Sequence, residues 1–139
     1  MISFNYETDF QLAYEKDYSD WVSAIITSEG KVEGDINYVF CDDEYLLSLN
    51  QQYLEHDTLT DIISFDYSVG DELHGDIFIS VERVAENAKD FNVTMSDELK
   101  RVMAHGILHY CGYKDKTEPE EQAMRLKEEE KMKMFHVKH

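Results

Sequence analysis

The stretch His105–Lys116 reads HGILHYCGYKDK and places two histidines four residues apart in an otherwise apolar segment. From Val102 to Tyr113 the chain has no charged residue. A helix that is apolar on all sides belongs at the centre of a domain, because every face of it must be buried. The sequence therefore predicts a central helix that carries a pair of imidazoles.

His105 and His109 project from the same face of such a helix, about one turn apart. Two neutral imidazoles at this spacing can bind one metal ion, as they do in zinc-binding helices. Gly106 removes a side chain beside His105, and we expect this to leave room for metal and substrate. Gly112 can adopt the left-handed conformation that ends a helix.

A third ligand becomes available if the chain reverses at Gly112, because Asp115 can then return to the metal. His105, His109 and Asp115 would leave a fourth position open for water, the arrangement of a catalytic zinc site. In the alternative interpretation, both histidines are core residues bonded to backbone carbonyls and Asp115 lies in a solvated loop. The spacing alone does not decide between them. A zinc peptidase is disfavoured, because Gly106 stands where the His-Glu-x-x-His motif has its glutamate.

The length of 139 residues predicts one domain with a sizeable core. No apolar run is long enough to span a membrane, and the first residues do not resemble a signal peptide. The two cysteines do not form a disulfide framework, so we expect a cytoplasmic protein.

The formal net charge of −17 argues, for the whole chain, against binding to nucleic acid. The charge is unevenly distributed, however. Residues 1–80 contain two basic residues against 18 acidic ones, whereas residues 81–139 contain 11 basic against 12 acidic. Most cations therefore belong to the part of the chain that carries the histidines, where we expect a positive rim formed by Arg83, Lys89, Lys100, Arg101, Lys114 and Lys116.

Hydrophobic periodicity and capping residues predict the order strand, helix, strand, helix, two strands and three helices. A first helix is predicted over Asp9–Ser28, and the last three helices are predicted to begin after the caps Ser80, Thr94 or Ser96, and Thr117. The Glu/Lys-rich last helix, EPEEQAMRLKEEEKMK, is interpreted as solvated. The predicted fold is mixed α/β, one domain over residues 1–139. It has a small four-stranded mixed sheet, about five covering helices and a flexible tail from about residue 135.

The stretch HGILHYCGYKDK resembles the YbeY-family signature His-Gly-x-Leu-His-x-x-Gly-Tyr-Asp-His. Three further stretches are similar to the family's: DDEYLLSLNQQY (residues 42–53), TDIISF (60–65) and GDIFIS (75–80). The resemblance covers roughly residues 36–130. It implies a zinc-dependent endoribonuclease that cuts single-stranded RNA in rRNA maturation, including the 3′ end of 16S rRNA.

The resemblance implies His105, His109 and Asp115 as the metal ligands, with two departures from the family pattern. Asp115 occupies the position of a ligand that is usually histidine, which adds negative charge and favours a harder divalent metal than zinc. Leu54 occupies a position where the family commonly has an arginine.

Other residues are assigned to the surroundings of the metal. Thr60, Asp61 and Ser64 are expected to line the cleft or to orient the ligands, and Lys114 and Lys116 to contact substrate. The sequence identifies no general base, so a water on the metal is the expected nucleophile.

The leading hypothesis is therefore a metal-dependent endoribonuclease whose partners are single-stranded RNA and the ribosome or a ribosomal protein. The alternative is a non-catalytic ribosome-assembly factor that binds RNA or a ribosomal protein and contains a structural metal.

Overall fold

A computed structural model of the chain describes residues 1–54 and 60–135, with only the helical backbone described at Leu54. Four strands and five helices follow one another in the predicted order. They are β1 (Ile2–Tyr6), α1 (Glu15–Ser28), β2 (Val32–Cys41), α2 (Asp43–Leu54), β3 (Ile62–Asp66), β4 (Glu72–Ser80), α3 (Val81–Phe91), α4 (Met95–Tyr110) and α5 (Glu118–Met132). The predicted mixed α/β fold is confirmed.

The four strands form one mixed sheet in the order β1-β2-β4-β3. β1 and β4 both pair with β2 in parallel, and β3 pairs antiparallel with β4 at the edge of the sheet. The central strand β2 is buried on both faces near its end, where Phe40 and Cys41 have no solvent exposure. Helices therefore have to cover both faces of the sheet.

One face of the sheet carries the main core, to which α1, α3 and α4 contribute buried side chains. Ile36 and Tyr38 of β2 and Ile77 of β4 lie in this core together with Met103 and Ile107 of α4. Helix α2 covers the opposite face, where Leu46 packs against Cys41 and Ile63 in a smaller cluster. The predicted central helix is thus α4, which contacts the sheet and also α1, α3 and α5.

The predicted helix caps are confirmed. The side chains of Ser80, Thr94 and Thr117 accept hydrogen bonds from backbone N–H groups in the first turns of α3, α4 and α5. Thr117 and Glu120 form the reciprocal capping box, with a proline in the first turn of α5. Local chemistry thus sets where these three helices begin.

The first helix begins later than the sequence pattern predicts, at Glu15 instead of Asp9. In the intervening segment, Phe10 packs against Phe40 and Tyr6, and the Leu12 N–H donates to the Tyr6 hydroxyl. Tyr14 then adopts a left-handed backbone conformation with φ of 61° just before the helix. Tertiary contacts of an aromatic side chain therefore override helical propensity here.

Gly106 does not face the proposed metal, so the expectation that it leaves room for metal and substrate is wrong. A Cβ atom built at this position would lie 3.2 Å from Cδ1 of both Ile62 and Ile77. The glycine therefore allows α4 to approach β3 and β4 closely, and it does so on the side of the helix that faces the sheet.

Helix α5 is not solvated on all sides, which also corrects the sequence interpretation. Met124, Glu128 and Lys131 are buried along one face of this helix. Phe135, where a flexible tail was predicted to begin, packs against Tyr18 and Trp21, and the rest of that tail lies outside the described residues. Within the described ranges, no helix is long and apolar enough to cross a membrane.

Candidate metal centre

The end of α4 has the hydrogen bonds of a Schellman motif. The Tyr113 N–H donates to the Leu108 carbonyl at 3.1 Å, and the Gly112 N–H donates to the His109 carbonyl at 3.0 Å. Gly112 has φ of 105°, a conformation that L-residues with side chains rarely adopt. The chain reverses at this glycine, and Asp115 consequently returns to the face of α4 that carries the histidines.

His105, His109 and Asp115 bring one ligand atom each to a common point. The two Nε2 atoms are 3.0 Å apart, and Asp115 Oδ2 lies 3.2 Å from His105 Nε2 and 3.3 Å from His109 Nε2. Of the described residues, these three form the group of ligand atoms that can hold a metal ion. The reversal at Gly112 therefore brings Asp115 to the two histidines, as the sequence predicted.

The second ring nitrogen of each histidine determines which atom is free to act as a ligand. His105 Nδ1 lies 2.6 Å from Glu128 Oε2, and His109 Nδ1 lies 3.0 Å from the Tyr113 carbonyl oxygen. Both partners only accept hydrogen bonds when the carboxyl is ionised, so we assign the proton of each neutral ring to Nδ1. Each Nε2 atom then presents a lone pair to the common point.

The geometry fits a tetrahedral cation. With the assigned tautomers, three lone pairs face one another, and they repel unless a proton or a cation lies between them. Bonds of about 2.0–2.1 Å to a tetrahedral zinc place ligand atoms about 3.4 Å apart. The three observed separations are slightly shorter than this, so a small adjustment is enough to accommodate the ion.

A cavity of about 290 Å³ opens beside the three ligand atoms. Its other lining residues come from the start of β3 and from the residues just before it: Thr60, Asp61, Ile62 and Ser64. The Ser80 N–H donates to the Asp61 carbonyl at 3.0 Å, and this bond fixes the lining segment against the end of β4. The structure thus brings three residues that the sequence assigned to the cleft next to the predicted metal ligands.

Asp61 is the one carboxylate besides Asp115 among the described residues that line this cavity. Its Oδ2 atom lies 3.5 Å from the Asn87 amide nitrogen and 3.8 Å from Arg101 Nη2. Burial raises the pKa of the Asp61 carboxyl, although the nearby guanidinium of Arg101 opposes this shift. The folded chain therefore holds an ionised Asp61 at a cost to its stability.

Arg101, next to the cavity residue Asp61, is the centre of a charged cluster that the sequence pattern does not predict. Arg101 donates to both carboxylate oxygens of Glu98, at 2.9 and 2.6 Å, and to Glu128 at 3.2 Å. Hydrogen bonding to Glu98 raises the pKa of the Arg101 guanidinium, so it stays protonated. Of the buried residues Met124, Glu128 and Lys131 on α5, only Met124 is apolar, so no hydrophobic periodicity marks this face of the helix in the sequence.

The predicted positive rim is smaller than expected. Four of its six cations pair with other side chains: Arg83 with Asp43, Lys89 with Glu86, Lys100 with the Phe135 ring and Arg101 with Glu98. Lys114 and Lys116 remain exposed on either side of Asp115, outside the set of residues that line the cavity. Leu54 ends α2, and its side chain lies outside the described residues.

The sequence profile of the family described as Endoribonuclease YbeY matches residues 2–136, nearly the whole chain. The chain belongs to the YbeY family. A relative from Flavobacterium psychrophilum, named endoribonuclease YbeY, is 68% identical over 138 residues, which are 99% of each chain. A relative of the same name from Flavobacterium johnsoniae is 67% identical over 137 residues, again 99% of each chain.

The fold agrees with a solved structure as well. The solution structure of TM1509 from Thermotoga maritima aligns with a TM-score of 0.68 at 27% identity, covering 97% of this chain and 89% of that one. The resemblance drawn from the sequence motifs is thereby confirmed. Asp115, at the position where the YbeY signature has its last histidine, directs its carboxylate to the same point as the two imidazoles.

We expect Asp61→Asn to raise the thermal stability of the metal-free protein at pH 7. The raised pKa means that the unfavourable contribution of ionised Asp61 is present above the folded-state pKa. It disappears as the pH falls through that value towards the ordinary 3.8. The gain in melting temperature over wild type should therefore be largest at neutral pH and shrink on acidification.

Asp9→Asn is the matched control, because it removes the same charge at an exposed position. Melting curves recorded between pH 7 and pH 4.5 with a chelator present give the comparison. A stabilisation by Asp61→Asn that is independent of pH, or a loss of stability at pH 7, would contradict the expectation.

Proposed function

We propose that this chain is a metal-dependent endoribonuclease that cuts single-stranded RNA during the maturation of rRNA, including the 3′ end of 16S rRNA. The observation that carries the proposal is the convergence of His105 Nε2, His109 Nε2 and Asp115 Oδ2 at separations of 3.0–3.3 Å. Family membership supports it, because the relatives from both Flavobacterium species are named endoribonucleases.

The three ligands bind one divalent metal ion per chain, either zinc or another metal. When bound, such an ion polarises a phosphoryl oxygen and lowers the pKa of water. Asp115 makes the ligand set harder than three histidines would be, and this widens the choice of metal towards those that prefer oxygen.

The remaining roles fall to residues around the cavity. Thr60 and Ser64 supply hydroxyl groups at the cavity wall, where they can donate hydrogen bonds to phosphate oxygens. Asp61 can accept a proton, or a hydrogen bond from a ribose hydroxyl. Its negative charge repels a phosphate from its part of the cavity wall. Lys114 and Lys116 flank Asp115 and attract the RNA backbone.

Single-stranded RNA and the ribosome, or a ribosomal protein, are the proposed partners. The chain acts in the cytoplasm, where rRNA matures in bacteria. The two free cysteines, Cys41 and Cys111, agree with a reducing compartment.

The first test is metal binding. We expect about one zinc per chain by elemental analysis of the reconstituted protein. Asp115→Ala should lose affinity for zinc, whereas Asp115→His should keep it or raise it, because an imidazole is the better zinc ligand. Competition with a zinc-sensitive dye measures all three affinities. Equal affinities of wild type and Asp115→Ala would remove Asp115 from the ligand set.

The second test is RNA cleavage. Metal-loaded wild type should cut a fluorescent single-stranded RNA and leave the same sequence intact when it is paired in a duplex. His109→Ala should lose cleavage by at least about a hundredfold, because a site with two ligands holds the metal poorly. A metal-loaded protein that binds the RNA and leaves it uncut would favour the non-catalytic assembly factor instead.

The third test concerns the attraction of RNA. Lys114→Glu combined with Lys116→Glu should weaken single-strand binding and flatten its salt dependence. Each phosphate contact that is lost lowers the slope of log K against log salt by about 0.7. Lys16→Glu combined with Lys31→Glu is the control with equal charge change, since both lysines lie in the acidic first part of the chain. Identical salt titrations for the two double variants would contradict a role for Lys114 and Lys116.

A further inference from the structure

Helix α5 supplies a buried carboxylate to the metal centre, although none of its residues is among the three ligands. Glu128 is 2% exposed, and its two oxygens have different partners. Oε2 accepts from His105 Nδ1 at 2.6 Å, and Oε1 accepts from Arg101 Nη1 at 3.2 Å. Glu128 thus connects a ligand of the proposed metal to the half-buried guanidinium of Arg101.

We propose that Glu128 is a positioning residue of the metal centre, which fixes the His105 ring with Nε2 towards the other ligands, and that Arg101 holds Glu128 in place. This inference rests on the proposed metal-binding function. A carboxylate that accepts from the far nitrogen of a metal-binding imidazole fixes its tautomer and orientation and makes it a stronger ligand. The short contact at Nδ1 leaves the Nε2 lone pair as the one available to a metal.

The balance of charge in the cluster argues against a purely structural role. Arg101 is already neutralised by the two-point contact with Glu98, which is itself 2% exposed. Glu128 and Asp61 bring two further carboxylates to the same guanidinium, at 3.2 and 3.8 Å, so that three carboxylates surround one cation. A surplus buried charge is costly unless a cation balances it. A divalent metal held by His105 would supply that balance.

The position of Glu128 is set independently by the anchoring of α5. The indole N–H of Trp21 donates to the Lys131 carbonyl at 2.8 Å, and Lys131 Nζ contacts Glu29 at 2.7 Å and the Ser28 hydroxyl at 2.9 Å. These contacts attach α5 to α1 less than one turn beyond Glu128. The carboxylate is therefore preorganised and can hold the His105 ring before metal arrives.

The test compares Glu128→Gln with Glu129→Gln. An amide at position 128 cannot accept from both Arg101 and His105, because one of its two ends is a donor. We expect zinc affinity to fall by about 10- to 100-fold in Glu128→Gln and to stay unchanged in Glu129→Gln, which removes the same charge from an exposed neighbouring position. Equal zinc affinities of the two variants would overturn the proposal.

A double-mutant cycle separates positioning from general stabilisation. If Glu128 acts through His105, adding Glu128→Gln to His105→Ala should cause no further loss of zinc affinity. A further loss as large as that in the wild-type background would overturn the proposal while leaving the metal site intact. If His105→Ala binds zinc as tightly as wild type, the metal site itself is wrong, and the positioning role is overturned with it.

A third measurement uses the wild-type protein, so it does not depend on whether a variant folds. In the metal-free, ¹⁵N-labelled wild-type protein, long-range ¹H–¹⁵N spectra report which ring nitrogen of His105 carries the proton. We expect the proton on Nδ1. A His105 ring with its proton on Nε2 would overturn the proposal.

Discussion

Burial of the uncharged half of α4 against the sheet is the constraint on which the rest of the structure depends. From Val102 to Tyr110 this helix offers no charge to solvent, so it must be covered on nearly all sides. Gly106 brings its backbone close to β3 and β4, and α1, α3 and α5 surround the remainder. Within this part of the helix, only His105 and His109 are partly accessible to solvent, with side chains that are 17% and 32% exposed. Deep burial of the helix and access to its two imidazoles are therefore compatible.

The two histidines are oriented by different means, each of which follows from how α4 is enclosed. His109 donates to the backbone carbonyl of Tyr113, and this carbonyl is in reach because the chain reverses at Gly112. The same reversal delivers Asp115 to the Nε2 side of that ring. His105 lies one turn earlier, and its Nδ1 atom faces α5, where the carboxylate of Glu128 takes the place of the carbonyl. One orienting group is neutral and local, whereas the other is charged and distant in sequence.

The distance in sequence between interacting residues explains which parts of the site were predictable. His105, His109 and Asp115 lie within one short stretch, where helical spacing and a stop at a glycine are enough to bring them together. The caps of the last three helices were likewise predictable from a few neighbouring residues. Glu128 is 23 residues from His105. It lies in a run of charged residues, so the sequence pattern does not predict that one face of α5 is buried.

Residues 9–14 and Gly106 both differ from the sequence prediction because of tertiary packing. Residues 9–14 have a pattern compatible with a helix. Phe10 packs against Phe40 instead, and the chain stays irregular until Tyr14. Gly106 was expected to leave room for metal and substrate, yet the lack of a side chain there allows close packing against Ile62 and Ile77. Neither the partner of an aromatic ring nor the side of a helix that meets a sheet is encoded in spacing alone.

The charges around the cavity indicate how a chain with a net charge of −17 can act on a polyanion. If a divalent metal is bound, the charges of Asp115 and of ionised Asp61, which line the same cavity, would together balance its charge. The loaded metal centre as a whole would then attract a phosphate mainly through direct coordination. Arg83 and Arg101 cannot compensate, because both are held in ion pairs with carboxylates. Under the proposed function, attraction at longer range would then come from Lys114 and Lys116, which are exposed on either side of Asp115 in the sequence.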